Sequence, residues 1–226
     1  MTRDLDSAAL LAHARVPDLP LARAWMCVRI GRAAAGPAMD AMAMLPRHAF
    51  LPRRWRVAYT ELALWTGETW MTPPRTIARV LRALPELAGL RVMEIGTGTG
   101  YQTALLAALG AKVTSFETST ACTDEARARL EALSASDVVL RNENAWDAHA
   151  ARCDAIVVNA AIDAYPTALL RRLDGGRGVI VAPVASSDGS QHLLRIESRD
   201  GKSTRVLDLG ACLFPPAVPP LRKELP

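Results

Sequence analysis

Cysteine and histidine are few and dispersed: four of each occur in 226 residues. Cys27, Cys122, Cys153 and Cys212 form no CxxC pair and no dense framework, which argues against both a zinc site and structural disulfides. His13, His48, His149 and His192 are equally scattered, so no metal site is expected. Long apolar runs are missing as well. Ala155-Ile156-Val157-Val158 and the stretch Ala104 to Leu109 fall far short of the roughly 18 residues that span a bilayer, so no membrane span is expected. The opening Met1-Thr2-Arg3-Asp4-Leu5-Asp6 carries acids early and lacks an apolar core with a cleavage site. It does not read as a signal peptide, and the cytoplasm is the expected location. Lysine is nearly absent, supplying only three (Lys112, Lys202, Lys223) of the 27 basic residues. The net charge of +4 therefore reflects an arginine-rich composition. The densest basic run, Arg53-Arg54-Trp55-Arg56, reads as a solvated helix face, and nucleic acid is not an expected partner.

What is present suits a folded domain: half of the residues are hydrophobic and 22% are charged, enough for a core and a solvated surface. The length fits one domain over 1–226. Within it we distinguish an N-terminal helical and lid region (1–72), an α/β core (73–213) and an extended tail (214–226). Leu21, Trp25 and Val28, then Met39 and Met42, recur at helical spacing around a break at Gly36-Pro37. Thr72-Pro73 supplies an N-cap and a first-turn proline for a helix to about Leu84, with Ile77, Val80 and Leu81 on one face. From Arg91 short apolar runs alternate with helical stretches: Val92 to Ile95, Tyr101 to Leu109, Val113 to Phe116, Asp124 to Leu133. The order continues with Val138 to Leu140, Ala155 to Val158, a helix from about Pro166 to Leu173, and Val179 to Val181. This is βαβα order, and strands this apolar are expected where helices cover both faces of a mostly parallel sheet. His192 to Ile196 and Val206 to Leu213 flank Asp200-Gly201, a two-residue turn signal, so an antiparallel C-terminal edge is expected. The fold class is α/β, doubly wound and Rossmann-like, with N-terminal helices.

The chemistry concentrates in Val92-Met93-Glu94-Ile95-Gly96-Thr97-Gly98-Thr99-Gly100-Tyr101, a strand running through a glycine-rich turn into a helix. Glycines let the backbone turn tightly and approach a ligand. Such a turn alone could be an ordinary loop. Here, however, Glu94 precedes it, its spacing is GxGxG, and Glu117 ends the next strand, where an acid can accept both hydroxyls of a ribose. A dinucleotide enzyme would want Glu117 too, but a carboxylate at position 94 would repel a pyrophosphate at the helix N-terminus. S-adenosylmethionine, with its ammonium and sulfonium, suits the pair better.

The stretch Val92 to Leu109, VMEIGTGTGYQTALLAAL, resembles the signature of the protein-L-isoaspartate O-methyltransferases, notably at Gly100-Tyr101-Gln102-Thr103-Ala104. The likeness extends over roughly residues 37–215, through Leu45-Pro46-Arg47-His48-Ala49-Phe50, Cys153 to Ala161, Pro166, Gly175-Gly176, Pro183-Val184 and Gln191. It implies carboxyl O-methylation of a protein or peptide acceptor, with S-adenosylhomocysteine as the cofactor product. It also implies a cofactor cradle of Glu94, Gly96, Thr97, Gly98, Gly100 and Tyr101, with Glu117 on the ribose and Asn144-Ala145 beside the adenine, and it adds Trp70 and Met71, from the substrate-side segment, to the cofactor-binding set.

Three departures accompany the likeness. Asn144-Ala145 replaces the family's usual Asp-Gly, and the asparagine carbonyl is expected to accept from the adenine amino group. Met71 stands at the family's serine position in Thr66-Gly67-Glu68-Thr69-Trp70-Met71-Thr72-Pro73, and Thr60 where aspartate is common. These two changes predict weak activity on isoaspartyl peptides, and Thr69 and Thr72 become the candidates to orient the acceptor. Trp65 and Trp70 are either packing residues or a reshaped substrate pocket. No catalytic histidine or Ser-His-Asp set is evident, and none is needed: a carboxylate acceptor, with a pKa of about 4, is already ionised at neutral pH. The same fold and cofactor could serve another acceptor, a modified peptide or a small metabolite, or a non-catalytic cofactor-binding module.

Overall fold

The computed structural model describes residues 3, 5–31, 36–51, 57–148, 151–163, 165–201 and 204–217. Arg53 to Arg56 and His149 lie outside them, as does the tail from residue 218. Helices α1 (Ser7–Ala14), α2 (Pro20–Ile30) and α3 (Pro37–Met44) come first, followed by a small hairpin of β1 (Leu64–Trp65) and β2 (Trp70–Met71). The core then alternates α4 (Pro74–Ala83), β3 (Arg91–Ile95), α5 (Tyr101–Ala108), β4 (Lys112–Glu117), α6 (Thr120–Ala132), β5 (Val138–Asn142) and β6 (Ala155–Val158). It closes with α7 (Thr167–Leu170), β7 (Gly178–Ala185), β8 (Gln191–Ser198) and β9 (Thr204–Ala211). No helix among the described residues is long and apolar enough to cross a membrane.

Seven strands form one sheet in the order β5-β4-β3-β6-β7-β8-β9. The first five are parallel, and β8 and β9 add the antiparallel edge. Because side chains alternate across a strand, each central strand serves two cores. Val92, Val113, Val157 and Val181 face one core with α4, α5 and α6, while Ile95, Phe116, Val158 and Ile180 face the other with α7. The chain winds outward from β3 to β5 and returns to β6 on the other side of β3, so the topological switch point lies between β3 and β6. Ligand crevices of open α/β sheets form there, at the carboxyl ends of the strands.

The helical spacing of Leu21, Trp25 and Val28 falls on α2, where these residues are 65–76% exposed and the buried side chains are Met26 and Ile30 on the opposite face. Both faces of α2 carry apolar residues at helical spacing, so periodicity could not choose between them. Three local expectations need correction. Thr72 does not cap α4; Pro73 holds the N-cap, the helix starts at Pro74, and the Thr72 carbonyl accepts from Arg47. The helix after Pro166 stops at Leu170. The β8–β9 ladder ends at the Ser198–Thr204 pair, so five residues separate the paired strands where Asp200-Gly201 led us to expect a two-residue turn.

Candidate active site

The turn after β3 places three glycines at positive φ: Gly96 at +90°, Gly98 at +53° and Gly100 at +82°. A β-carbon on Gly96 would stand 3.3 Å from Asn159 Cβ, and one on Gly100 would stand 3.1 Å from Ala126 Cβ. Gly96 and Gly98 border a cavity at the strand ends. Gly100 is not one of its walls. It is the N-cap of α5 and lets that helix approach α6.

Glu117, at the end of β4, forms part of the cavity wall. One of its oxygens accepts from the Gly98 N–H (2.9 Å), and the other accepts from the N–H groups of Thr118 (2.9 Å) and Ser119 (3.0 Å). These bonds fix the carboxylate and tie the first turn to the second. A carboxylate can accept about four hydrogen bonds, so with three taken about one further donor can be accepted.

Glu94 sits elsewhere than expected. It is 0% exposed and is not a wall of the cavity. Its oxygens accept from Thr103 (2.5 Å), Ser115 (2.7 Å), Asn159 (3.1 Å) and Gln102 (3.2 Å), and Thr97 Oγ1 lies 2.6 Å from Ser115 Oγ. Gln102 and Asn159 stand between it and the cavity, both lining the wall and joined to each other at 2.8 Å. Burial pushes the Glu94 carboxyl up to about 7, against the downward pull of its hydrogen bonds. Four donors around a dry carboxylate offset much of the cost of burying it.

On the opposite wall, the hairpin pairs Leu64 with Met71 and Trp65 with Trp70. Leu64 and Met71 point into the core, and Met71 is only 2% exposed, so this residue is a packing element as well as a cavity wall. Thr66 closes the turn by donating from its N–H to the Thr69 carbonyl at 2.9 Å. Arg47, fully buried, clamps the segment: Nε donates to the Ala58 carbonyl and Nη2 to the Thr72 carbonyl, each at 2.7 Å. Its guanidinium lies 5.2 Å from the Tyr101 ring centroid. Burial draws the Arg47 pKa down to about 10, which leaves it cationic at neutral pH. Thr60 is outside the wall, its hydroxyl donating to the Val57 carbonyl at 2.8 Å.

Of the residues singled out from the sequence, Thr69, Trp70, Met71, Thr72, Gly96, Thr97, Gly98, Tyr101, Glu117, Asn144 and Ala145 converge on this one cavity. Asn144 differs in detail. Its side-chain carbonyl already accepts from the Trp146 N–H (3.1 Å), and its amide donates to Asp147 (3.0 Å), so it shapes its own loop. Sequence reasoning missed Gln102, Asn159, Glu143, Trp146 and the tail residues Pro215 to Ala217, which also line the wall. Gln102 and Asn159 lay inside the family-like runs, but the tail gave no local signal. It reaches the site by pairing with Ala161, whose N–H donates to the Pro215 carbonyl at 2.7 Å.

Among the described residues the cavity wall carries the carboxylates of Glu117 and Glu143 and no lysine, arginine or histidine. Such a wall attracts a cation and disfavours a pyrophosphate.

Comparison with known proteins places the chain among its relatives. Residues 28–221 match the family model described as Protein-L-isoaspartate(D-aspartate) O-methyltransferase (PCMT). A Protein-L-isoaspartate O-methyltransferase of Rhodopseudomonas palustris (strain BisB18) is 38% identical over 193 residues, covering 83% of this chain and 88% of the relative. A second, from strain BisA53, is 36% identical over 194 residues with the same coverage. A solved protein-L-isoaspartate O-methyltransferase superposes with a TM-score of 0.76 at 20% identity, over 86% of this chain and 65% of that one. A putative Plasmodium falciparum counterpart, in complex with S-adenosyl-L-homocysteine, gives 0.73 at 16% identity, over 86% and 97%. The chain belongs to the protein-L-isoaspartate(D-aspartate) O-methyltransferase family.

Proposed function

We propose that this protein is an S-adenosylmethionine-dependent enzyme that methylates the carboxylate of isoaspartyl residues in a protein or peptide. The observation that carries the reading is the cavity at the carboxyl ends of β3 and β4, roofed by the hairpin, with acidic and no basic side chains among the described residues of its wall. Its polar lining fits S-adenosylmethionine: a fixed carboxylate for a ribose hydroxyl at Glu117, the side chains of Gln102 and Asn159 toward the amino-acid end, and the Ala145 loop beside the adenine. When bound, that cofactor supplies an electrophilic methyl group whose sulfonium leaves as a neutral thioether.

The protein's own residues contribute position and exclusion of water. Gly96, Thr97, Gly98 and Tyr101 shape the floor, and Glu94 holds Gln102 and Asn159 in place from behind. Gly100 acts one step further away, through the packing of α5. Trp70 and Met71 close the roof, and the Thr69 and Thr72 hydroxyls orient the acceptor. The acceptor carboxylate is already ionised at neutral pH, so no general base is required. Incubation with labelled S-adenosylmethionine and matched isoaspartyl and aspartyl peptides tests the reading. Alkali-labile methyl incorporation is expected in the isoaspartyl peptide alone. A second reading keeps the cofactor but changes the acceptor, and Met71 at the family's serine position favours it. Tight binding of S-adenosylhomocysteine with no label in either peptide would select that reading.

A further inference from the structure

The hairpin has an outer face that the acceptor reading leaves unused. Trp65 and Trp70 pair across β1 and β2 with ring centroids 5.3 Å apart and planes at 53°. Strand alternation turns them away from Leu64 and Met71, and they are 42% and 48% exposed. The turn joining them carries Glu68, which is exposed and has no ion pair among the described residues. Trp70 also belongs to the cavity wall, so the aromatic pair continues directly from the mouth of the site.

We propose that Trp65, Trp70 and Glu68 form a subsite for a cationic side chain of the acceptor polypeptide, next to the methylated residue. The inference rests on the acceptor reading above. Two half-exposed indoles offer on the order of 200 Å², far below the roughly 800 Å² per partner of a stable protein interface. One side chain is the right size of occupant. Its charge follows from the surroundings: the carboxylates of Glu68, Glu117 and Glu143 edge the hairpin and mouth, and among the described residues no basic residue lines the wall. Tryptophan faces are the best aromatic partners for guanidinium or ammonium groups. An arginine or lysine is thus favoured over an aliphatic residue by the field, and a carboxylate is repelled.

The test is a panel of isoaspartyl peptides with Arg, Leu or Glu at each flanking position, assayed at saturating cofactor with wild type, Trp65→Ala and Glu68→Gln. Trp65 is not a cavity wall, so the affinity of Trp65→Ala for S-adenosylhomocysteine serves as the control for folding. In the wild type we expect KM for the best-placed Arg peptide to be about three- to fivefold below that for Leu, with kcat unchanged. Trp65→Ala is expected to shrink this preference below about twofold, and Glu68→Gln to reduce it in part. Where Trp65→Ala does not fold, Trp65→Leu keeps bulk without the π face and is expected to lose the preference equally. Methylation of all peptides with a preference that survives loss of the indole, or with Leu favoured over Arg, would overturn the subsite alone. Intact cofactor binding with no peptide methylated would remove the acceptor reading, and the subsite with it.

Discussion

The glycine turn after β3 and the hairpin of β1 and β2 face each other across one cavity, yet they are secured in different ways. The turn is fixed by its own neighbourhood: Glu117 gathers three backbone N–H groups, and Glu94 gathers four side-chain donors. The hairpin has only two residues per strand and depends on the rest of the molecule, on Arg47 reaching the Thr72 carbonyl and on Leu64 and Met71 set into the core. The departures from the family pattern at Met71 and Thr60 fall on the hairpin side. A wall held by packing can change its chemistry without disturbing the half proposed to hold the cofactor.

The largest effect that can break this comparison is expected at Glu117. Glu117→Ala removes the proposed ribose contact and also frees the N–H groups of Gly98, Thr118 and Ser119. Each charge-assisted bond lost costs about 1.5–3 kcal/mol, so affinity for S-adenosylhomocysteine is expected to fall at least about thirtyfold by calorimetry. Undiminished affinity would show that the turn is not the cofactor side.

Met71→Ser sharpens the other half. A hydroxyl there could donate to the incoming carboxylate, and turnover on an isoaspartyl peptide is expected to rise about tenfold, as for one transition-state hydrogen bond. Because Met71 is buried, the melting temperature is expected to drop in the same variant, reflecting a packing loss of roughly 2 kcal/mol. The rates are compared at saturating cofactor, which separates chemistry from altered binding. A fast wild type that Met71→Ser slows would mean that Thr69, Thr72 or backbone groups already orient the acceptor and that the thioether is needed for packing alone.

A smaller effect concerns Glu94. With its carboxyl raised to about 7 by burial, the folded protein holds a proton through the interval from about 4.5 to 7 that the unfolded chain releases. Stability from this group is therefore greatest at low pH and declines as pH rises through that window. Binding of the ammonium shared by S-adenosylmethionine and S-adenosylhomocysteine runs the other way, because the ionised carboxylate behind Gln102 and Asn159 favours it. Relative to Glu94→Gln, wild-type affinity for S-adenosylhomocysteine is expected to improve about three- to tenfold between pH 6 and 8. Parallel pH profiles for the two proteins would show that Glu94 does not titrate here.

The sequence by itself determined the βαβ order, the glycine turn, the acid ending β4 and the antiparallel edge. Each is written locally, in hydrophobic period, in glycines at positive φ, or in a residue type at a strand end. Tertiary structure alone decided which face of α2 is buried, since both faces are apolar and only the elements packed on it choose between Met26 and Trp25. It also decided that Glu94 lies behind the wall, because Thr103, Ser115 and Asn159 come from three separate elements or their ends. The return of Pro215 to Ala217 to the cavity, more than a hundred residues after the glycine turn, was equally hidden. Local rules fix a backbone's shape, whereas burial and cavity walls are set by contacts between segments that no short stretch of sequence records.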